Sequence, residues 1–331
     1  MDNTVANSPS WFERPVFSSV KLSWENLLLV ALLLLAVLSR FAMLEPRVMS
    51  HDETIHVYHN SWSLFSGQGY QHDPLSHGPF QTHVVALSYF LFGDSDTSAR
   101  IPAALFSIAS VAFVWYYRRY LGRAGMFAAM ALMVISPYML YYGRYVRNEA
   151  YAAFAGIVLL WAMLRYLETG QARYTYYVSL ATVLHFTAKE TAFIYTAQAL
   201  VFLGCYFLYQ MWKREWVDPT KRKPVLLILL SGLGIILATE LFLLSHSWAA
   251  GPNAAQTAAP AVPGQAVQAL PVQGPSPLAL GLVALGGVLL LAGFMLMIRG
   301  FSWQRLRQER SFGLLVLVGS LVLPMLSAFP V

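Results

Sequence analysis

The sequence contains little cysteine and little charge. Of its 331 residues, only Cys205 is a cysteine and only 11% are charged. A single cysteine excludes a disulfide within the chain, and no set of Cys and His residues has the spacing of a zinc site. No glycine-rich phosphate loop is present, so a cytoplasmic nucleotide is not indicated. Soluble domains are about 25% charged, and the composition therefore argues against a soluble protein.

Long apolar segments dominate instead. Hydrophobic residues make up 57% of the chain, and apolar runs of about 20 residues recur, each long enough to cross about 30 Å of hydrocarbon. The predicted fold class is all-α, a polytopic bundle of transmembrane helices in the cell membrane that occupies residues 24–331. About nine spans are predicted, at 24–44, 99–117, 124–142, 149–166, 174–188, 191–210, 224–246, 278–298 and 312–331.

The distribution of basic residues predicts the orientation. With the N-terminus in the cytoplasm, 16 of the 22 Lys and Arg residues fall on the inner side, as the positive-inside rule requires. Six fall on the outer side: Arg40, Arg47, Arg100, Arg144, Arg147 and Lys189. The formal net charge of +6 therefore reflects membrane orientation, and nucleic acid is not a predicted partner.

Three polar segments and the C-terminal end complete this topology. Residues 1–23 are predicted to be a cytoplasmic tail, and residues 45–79 an extracytoplasmic loop that holds five of the eight histidines. Residues 247–277 carry no charge and are rich in Ala, Pro, Gln and Gly, which predicts a flexible outer loop without chemistry. The sequence stops at Val331 directly after an apolar run, as expected of a C-terminally truncated piece of a longer protein.

Two juxtamembrane helices are predicted in and beside the first outer loop. Apolar residues recur at helical spacing from Ile55 to Phe65, while His56 and His59 occupy another face. This pattern predicts an amphipathic helix at 54–66 that lies in the membrane interface. The apolar segment 79–92 is too short to be a span and is predicted to be a second interfacial or re-entrant helix.

Three clusters of ionisable residues lie near outer ends of predicted spans. They are His51-Asp52-Glu53, the segment from Arg144 through Arg147, Asn148 and Glu149, and Lys189-Glu190. Ionisable groups at membrane depth usually mark a site or a pathway. The alternative is that these side chains extend to the surface and pair with one another.

This set of residues is suited to transfer from an anionic lipid. A carboxylate at the interface can accept the proton of an attacking hydroxyl, and neighbouring Arg and Lys side chains can hold a phosphate and stabilise its charge as it leaves. We therefore expect a membrane transferase with Asp52 as the general base, Glu53 orienting the acceptor or helping to bind a metal, and Arg144, Arg147 and Lys189 binding the donor phosphate.

The histidines raise the question of a metal ion. Asp52, His56 and His59 follow one another at i, i+4 and i+7, which places them roughly on one helical face. A divalent metal ion bound through His56 and His59 is one hypothesis. The other is an interfacial loop whose histidines form hydrogen bonds only.

The ordered motifs resemble those of the GT-C superfamily of integral-membrane glycosyltransferases, of the protein O-mannosyltransferase and aminoarabinose-transferase type. The similarity extends over about residues 24–210. The motifs are Asp52-Glu53, His77-Gly78-Pro79-Phe80, Tyr142-Gly143-Arg144-Tyr145-Val146-Arg147-Asn148-Glu149 and Thr187-Ala188-Lys189-Glu190-Thr191. As a set they look most like a prokaryotic branch labelled flippase-activity-associated in archaeal N-glycosylation.

The resemblance implies a sugar donor linked to polyprenyl phosphate and a protein, lipid or glycan acceptor on the extracytoplasmic side. It also implies inversion at the anomeric carbon and juxtamembrane helices in the first outer loop. The further predicted substrate-binding residues are His51, His77, Asn148, Glu149 and Glu190. A non-catalytic protein of the same fold is the alternative, either a translocation factor for lipid-linked saccharides or a degenerate transferase that only binds the lipid.

Overall fold

The computed structural model of the protein describes residues 23–71, 77–249 and 276–326. Three predicted segments lie wholly or mostly outside the described residues. They are the cytoplasmic tail at 1–23, of which only Ser23 is described, most of the outer loop at 247–277, and the last residues of the final predicted span. The described segments are helical and contain no strand, which confirms the all-α fold class.

The helices follow the predicted apolar segments closely. In chain order they are α1 Trp24–Phe41, α2 His51–Thr54, a π-helical segment Ile55–Trp62, α3 Ser63–Phe65, α4 Pro79–Phe92, α5 Asp96–Phe113, a 3₁₀ turn Val114–Tyr117, α6 Arg118–Ile135, α7 Pro137–Tyr142, α8 Glu149–Thr169, α9 Arg173–Ala188, α10 Ala192–Lys213, a 3₁₀ turn Pro219–Lys221, α11 Arg222–Ala249, α12 Pro277–Phe301, α13 Trp303–Gln308 and α14 Arg310–Leu326.

Six helical segments of the described chain are long and apolar enough to cross a membrane, which supports a multi-pass membrane protein. One of the six, Asp96–Ile135, contains two predicted spans in succession. Its helical path is interrupted at Gly122, where φ is 69°. The predicted span at 124–142 also ends early, because Ser136 caps a new helix that begins at Pro137. The number of nine spans stays a prediction, since α9 has only 16 residues and α14 only 17.

The chain forms two compact units, of which the first comprises the described residues up to Leu203 together with those from Leu314 onward. In this unit, α1, α5 and α6 share one apolar cluster that includes Ala36, Val111 and Met130. A second cluster joins α8 and α9 to parts of α10 and α14. Both clusters combine small alanines with larger apolar residues from several helices, as expected where apolar helices pack side by side.

The second unit, Gly204–Gly313, is built on the pair α11 and α12. The two helices approach closely at glycines: a Cβ on Gly232 would lie only 2.9 Å from the carbonyl oxygen of Gly286. Small residues at such crossings let two backbones come together in a membrane.

The helical predictions for the first outer loop are confirmed. A continuous helical path runs from His51 to Phe65, although its middle is π-helical rather than α-helical. Helix α4 occupies 79–92 as predicted and ends at Gly93, whose φ of 81° stops the helix. The position of either helix relative to the membrane stays a prediction.

The predicted break between 173 and 209 also occurs where expected. Helix α9 ends at Ala188, Lys189 is extended with φ −156°, and α10 begins at Ala192. The start of α4 lies directly against this break, because a Cβ on Gly78 would be 2.1 Å from the carbonyl oxygen of Thr187. Only glycine permits that approach. The outer loop and the Lys189 segment are therefore brought together.

Candidate active site

Glu53 is a fully buried carboxylate that accepts five hydrogen bonds. Its Oε1 accepts hydrogen bonds from Arg47 Nη2 at 2.8 Å, Arg100 Nε at 3.1 Å and the Val146 amide at 3.1 Å. Its Oε2 accepts from Arg100 Nη2 at 3.2 Å and from the Ser50 amide at 3.2 Å. The last bond belongs to a capping box, in which the Ser50 hydroxyl in turn caps the Glu53 amide.

Arg100 provides the other half of this buried pair. Its side chain is completely inaccessible, and its Nη1 also donates to the carbonyl oxygen of Leu44 at 2.5 Å. Arg100 therefore ties helix α5 both to the segment after α1 and to the start of α2. Arg100 was predicted to lie on the outer side, but no role was predicted for it. The sequence feature that could have revealed this role is an arginine in a largely apolar helix, because a buried arginine needs a counter-charge.

Two predicted site residues make structural contacts in this geometry. Glu53 has no exposed surface and both its oxygens accept hydrogen bonds from within the protein, while its role toward an acceptor or a metal stays a prediction. Arg144 donates to the carbonyl oxygens of Ala42 at 2.5 Å and Met43 at 2.9 Å, and so caps the end of α1. Residues 143–148 form turns instead of a helix, so Arg144 and Arg147 do not share a face and point to different partners.

The remaining charged residues form a row of alternating sign. Asp52 Oδ2 pairs with Arg147 Nη1 at 2.8 Å, Arg147 Nε lies 3.4 Å from Glu149 Oε1, and the same Glu149 oxygen accepts from Lys189 Nζ at 2.6 Å. Asp52 is the most accessible member, with 46% of its side chain exposed, against 12% for Glu149. Asp52 therefore presents the carboxylate end of the row to solvent.

The predicted substrate-binding residues lie around this row. His77 Nδ1 and Glu190 Oε2 are 2.6 Å apart, and the rings of His77 and His56 stack at 5.9 Å. His51 is exposed at the first turn of α2. Asn148 is fully buried, and neither its side-chain oxygen nor its nitrogen has a hydrogen-bond partner among the described residues. Because buried polar groups are normally paired, the unpaired amide of Asn148 is unusual, and its role in binding substrate stays a prediction.

The pairing that sequence analysis held open as an alternative is therefore present. Asp52 and Arg147, Glu149 and Lys189, and His77 and Glu190 do pair. The exposed fraction of these side chains ranges from 12% for Glu149 to 52% for Glu190, so the pairs are only partly covered.

His56 and His59 do not fit a metal site in this arrangement. His56 is buried against His77, whereas His59 is exposed and packs its ring edge-on against Tyr58. No three His, Cys, Asp or Glu side chains of the described residues are grouped so as to hold a metal ion. The proposed reaction therefore has no step that uses a metal ion.

Comparison with known proteins supports an integral-membrane glycosyltransferase of the GT-C superfamily. Residues 76–239, about half of the chain, match the family model described as dolichyl-phosphate-mannose-protein mannosyltransferase. The matched segment contains Arg100, Arg147, Glu149 and Lys189 but begins after Asp52. No curated protein and no solved structure matches the chain. The match supports an enzyme of the mannosyltransferase type and does not favour the non-catalytic alternative.

The two adjacent carboxylates should differ sharply in their effect on stability. Removing the charge of Glu53 by Glu53→Gln leaves Arg47 and Arg100 without their common counter-ion, and breaking a buried pair of this kind costs about 3–5 kcal/mol. Asp52→Asn breaks a half-exposed pair worth less than about 1 kcal/mol. We expect this difference in the free energy of unfolding by SDS in mixed micelles. Equal stability of the two variants would contradict the anchoring role of Glu53.

Stability should also depend on pH through His56. Burial, followed by the neighbouring charges of His77 and Arg147, lowers the pKa of His56 to about 4, although Asp52 and Glu149 act in the opposite direction. The unfolded chain then takes up a proton near pH 6.5 that the folded protein refuses until about pH 4. The free energy of unfolding should therefore fall as the pH is lowered through this window, by at most about 1.4 kcal/mol per pH unit.

The measurement is the same unfolding transition followed from pH 7 to pH 4 in wild type and His56→Gln. The variant should lose part of the pH dependence, while His59→Gln, which alters an exposed histidine on the same helical path, should keep it. A wild-type slope retained in His56→Gln would show that other groups cause the dependence.

Proposed function

We propose that the protein transfers a sugar from a polyprenyl-phosphate-linked donor to an acceptor on the extracytoplasmic side of the membrane. The observation that carries the proposal is the exposed Asp52 carboxylate at the end of the row that continues through Arg147 and Glu149 to Lys189. The family match supports the class of reaction, and the excess of basic residues on the other side of the predicted spans supports the orientation.

Asp52 is proposed as the general base. It is the one of the two adjacent carboxylates with accessible surface, so an acceptor hydroxyl can reach it. As the acceptor hydroxyl transfers its proton to Asp52, the new bond forms between the acceptor oxygen and the anomeric carbon. The bond from that carbon to the phosphate oxygen breaks on the opposite face, and the phosphate leaves with the electron pair. A single displacement of this kind inverts the anomeric carbon.

Arg147 and Lys189 are proposed to bind the donor phosphate. Each pairs with carboxylates through only part of its N–H donors, and the rest have no partner among the described residues. Two cations bridged by Glu149 can approach one phosphate together, and charge-assisted hydrogen bonds stabilise the negative charge that grows on the leaving group. If Arg147 turns toward the phosphate, it releases Asp52 to act as a base.

The other predicted substrate-binding residues keep supporting roles. Asn148 offers an unpaired buried amide, and His51, His77, Glu149 and Glu190 surround the row. The acceptor class (protein, lipid or glycan) and the flippase-activity-associated branch stay predictions from the ordered motifs. Glu53 and Arg144 are proposed to hold the framework of the site through their contacts with Arg100 and with the end of α1.

Charge removal at Asp52 should abolish most of the turnover. Asp52→Asn keeps the size of the side chain but not its basicity, so sugar transfer from a synthetic polyprenyl-phosphate donor should fall by about 10²–10⁴. Glu45→Gln, which alters an exposed carboxylate in the same outer loop, should transfer at the wild-type rate. An Asp52→Asn variant that is folded, binds donor and turns over normally would remove Asp52 from this role.

Donor affinity should depend on the two cations. One charge-assisted hydrogen bond contributes about 1.5–3 kcal/mol, so Arg147→Ala and Lys189→Ala should each weaken binding of the donor roughly ten- to hundredfold. Arg144→Ala provides the matched control, because this arginine caps α1 and should leave donor affinity unchanged in folded protein. Unchanged affinity in the Arg147→Ala, Lys189→Ala double variant would place the phosphate elsewhere.

A further inference from the structure

A second basic site lies far from Asp52. A cavity of about 780 Å³ opens among the 3₁₀ turn after α5, the start of α6, the end of α8 and the start of α9. Five arginines line it: Arg118, Arg119, Arg123, Arg165 and Arg173. Aromatic residues, among them Trp115 and Tyr174, form the rest of the wall. The volume is within the range of about 300–1,000 Å³ that is usual for small-molecule sites.

This cavity is distinct from the candidate active site. Helix α8 begins at Glu149, in the charged row, and reaches Arg165 sixteen residues later. At 1.5 Å per residue the two positions are about 24 Å apart along the helix. Helix α9 repeats the arrangement in the opposite direction, from Arg173 at the cavity to Ala188 beside Lys189. The two sites therefore lie at opposite ends of the same helices.

The cavity carries more positive charge than its acidic neighbours neutralise. Glu25 pairs with Arg118 at 2.8 Å and lies 3.9 Å from Arg123, and Glu168 pairs with Arg119 at 3.1 Å and Arg165 at 2.9 Å. Among the described residues, five arginines stand against these two carboxylates, an excess of three positive charges. Arg173 has no carboxylate within ion-pair distance among the described residues.

Two of the guanidinium groups are held together on one tyrosine. The Tyr174 hydroxyl accepts hydrogen bonds from Arg165 Nε at 3.3 Å and Nη2 at 3.2 Å, and from Arg173 Nη2 at 3.2 Å. Both groups also lie over the Tyr174 ring, at 5.4 and 5.0 Å from its centre. Like charges held this close repel each other, and an anion bound between them would offset that repulsion.

We propose that this cavity binds the phosphate of an anionic lipid head group. Arginine forks match phosphate oxygens through paired hydrogen bonds, and basic pockets between transmembrane helices on the cytoplasmic side are suited to anionic head groups. Trp115 and Trp161 in the wall are of the residue type that lies at head-group depth. A free phosphate compound carries the same chemistry, and the experiment below separates the two sources.

The test measures binding of short-chain phosphatidic acid, phosphatidylcholine and inorganic phosphate to the full chain in detergent by native mass spectrometry. Wild type should bind phosphatidic acid in preference to phosphatidylcholine, and phosphatidic acid should raise its melting temperature. The double variant Arg165→Gln, Arg173→Gln should bind phosphatidic acid at least about tenfold more weakly. The matched double variant Arg305→Gln, Arg307→Gln, on α13, should bind it as wild type does.

Competition identifies the source of the phosphate. Failure of millimolar inorganic phosphate to displace the lipid supports the head-group site. Displacement at equal concentration would overturn the lipid assignment in favour of a soluble phosphate compound. Equal losses of affinity for phosphatidic acid in the two double variants would show only general attraction to a basic surface. Equal binding of phosphatidylcholine and phosphatidic acid by wild type would contradict the proposed site. If the Arg165→Gln, Arg173→Gln variant does not fold, the melting temperature of wild type with and without phosphatidic acid still decides the test.

Discussion

The buried ion pair of Glu53 and Arg100 holds the candidate active site in place. Both side chains are fully buried, and removing two charges from water is costly unless each is hydrogen-bonded. Here the carboxylate accepts five N–H groups from side chains and backbone, so its charge is fully compensated. The pair joins α2, α5, the segment after α1 and the turn at Val146, and each of these elements carries or borders a candidate functional residue.

This anchoring also explains how two neighbouring carboxylates differ in their chemistry. Adjacent residues of a helix point about 100° apart, so when Glu53 turns inward to Arg100, Asp52 turns toward Arg147 and solvent. Arg147 connects Asp52 to Glu149, and Lys189 is brought to the same row by the break between α9 and α10. Gly78 fixes that break against the outer loop by its contact with Thr187.

Much of the fold could be predicted from the sequence, because apolar length and periodicity determine where helices form. The helix at 79–92, its end at Gly93 and the break at Lys189 all follow local signals. The three ionisable clusters also come together as expected. The contacts of Glu53 and Arg144 could not be predicted, because sequence position does not tell which of two adjacent acids points inward or which carbonyl groups need a cap. Arg100 was missed because its partner is 47 residues away in the chain.

The two ends of α8 and α9 carry different kinds of positive charge. At the Lys189 end, Arg147 and Lys189 are matched by Asp52 and Glu149, which suits a site where charge moves during a reaction. At the Arg165 end, arginines outnumber carboxylates, which suits stable retention of an anion. The same helices thus connect a proposed reaction site with a proposed lipid site about 24 Å away.

The most direct measurement is a cryo-electron microscopy structure of the protein in a lipid nanodisc with a non-hydrolysable polyprenyl-phosphate sugar analogue. We predict that the analogue's phosphate contacts Arg147 and Lys189 and that Glu53 remains bound to Arg100. The Asp52 carboxylate should face the anomeric carbon, with space between them for an acceptor. A phosphate bound away from Arg147 and Lys189, or Glu53 released from Arg100 to face the sugar, would contradict this prediction.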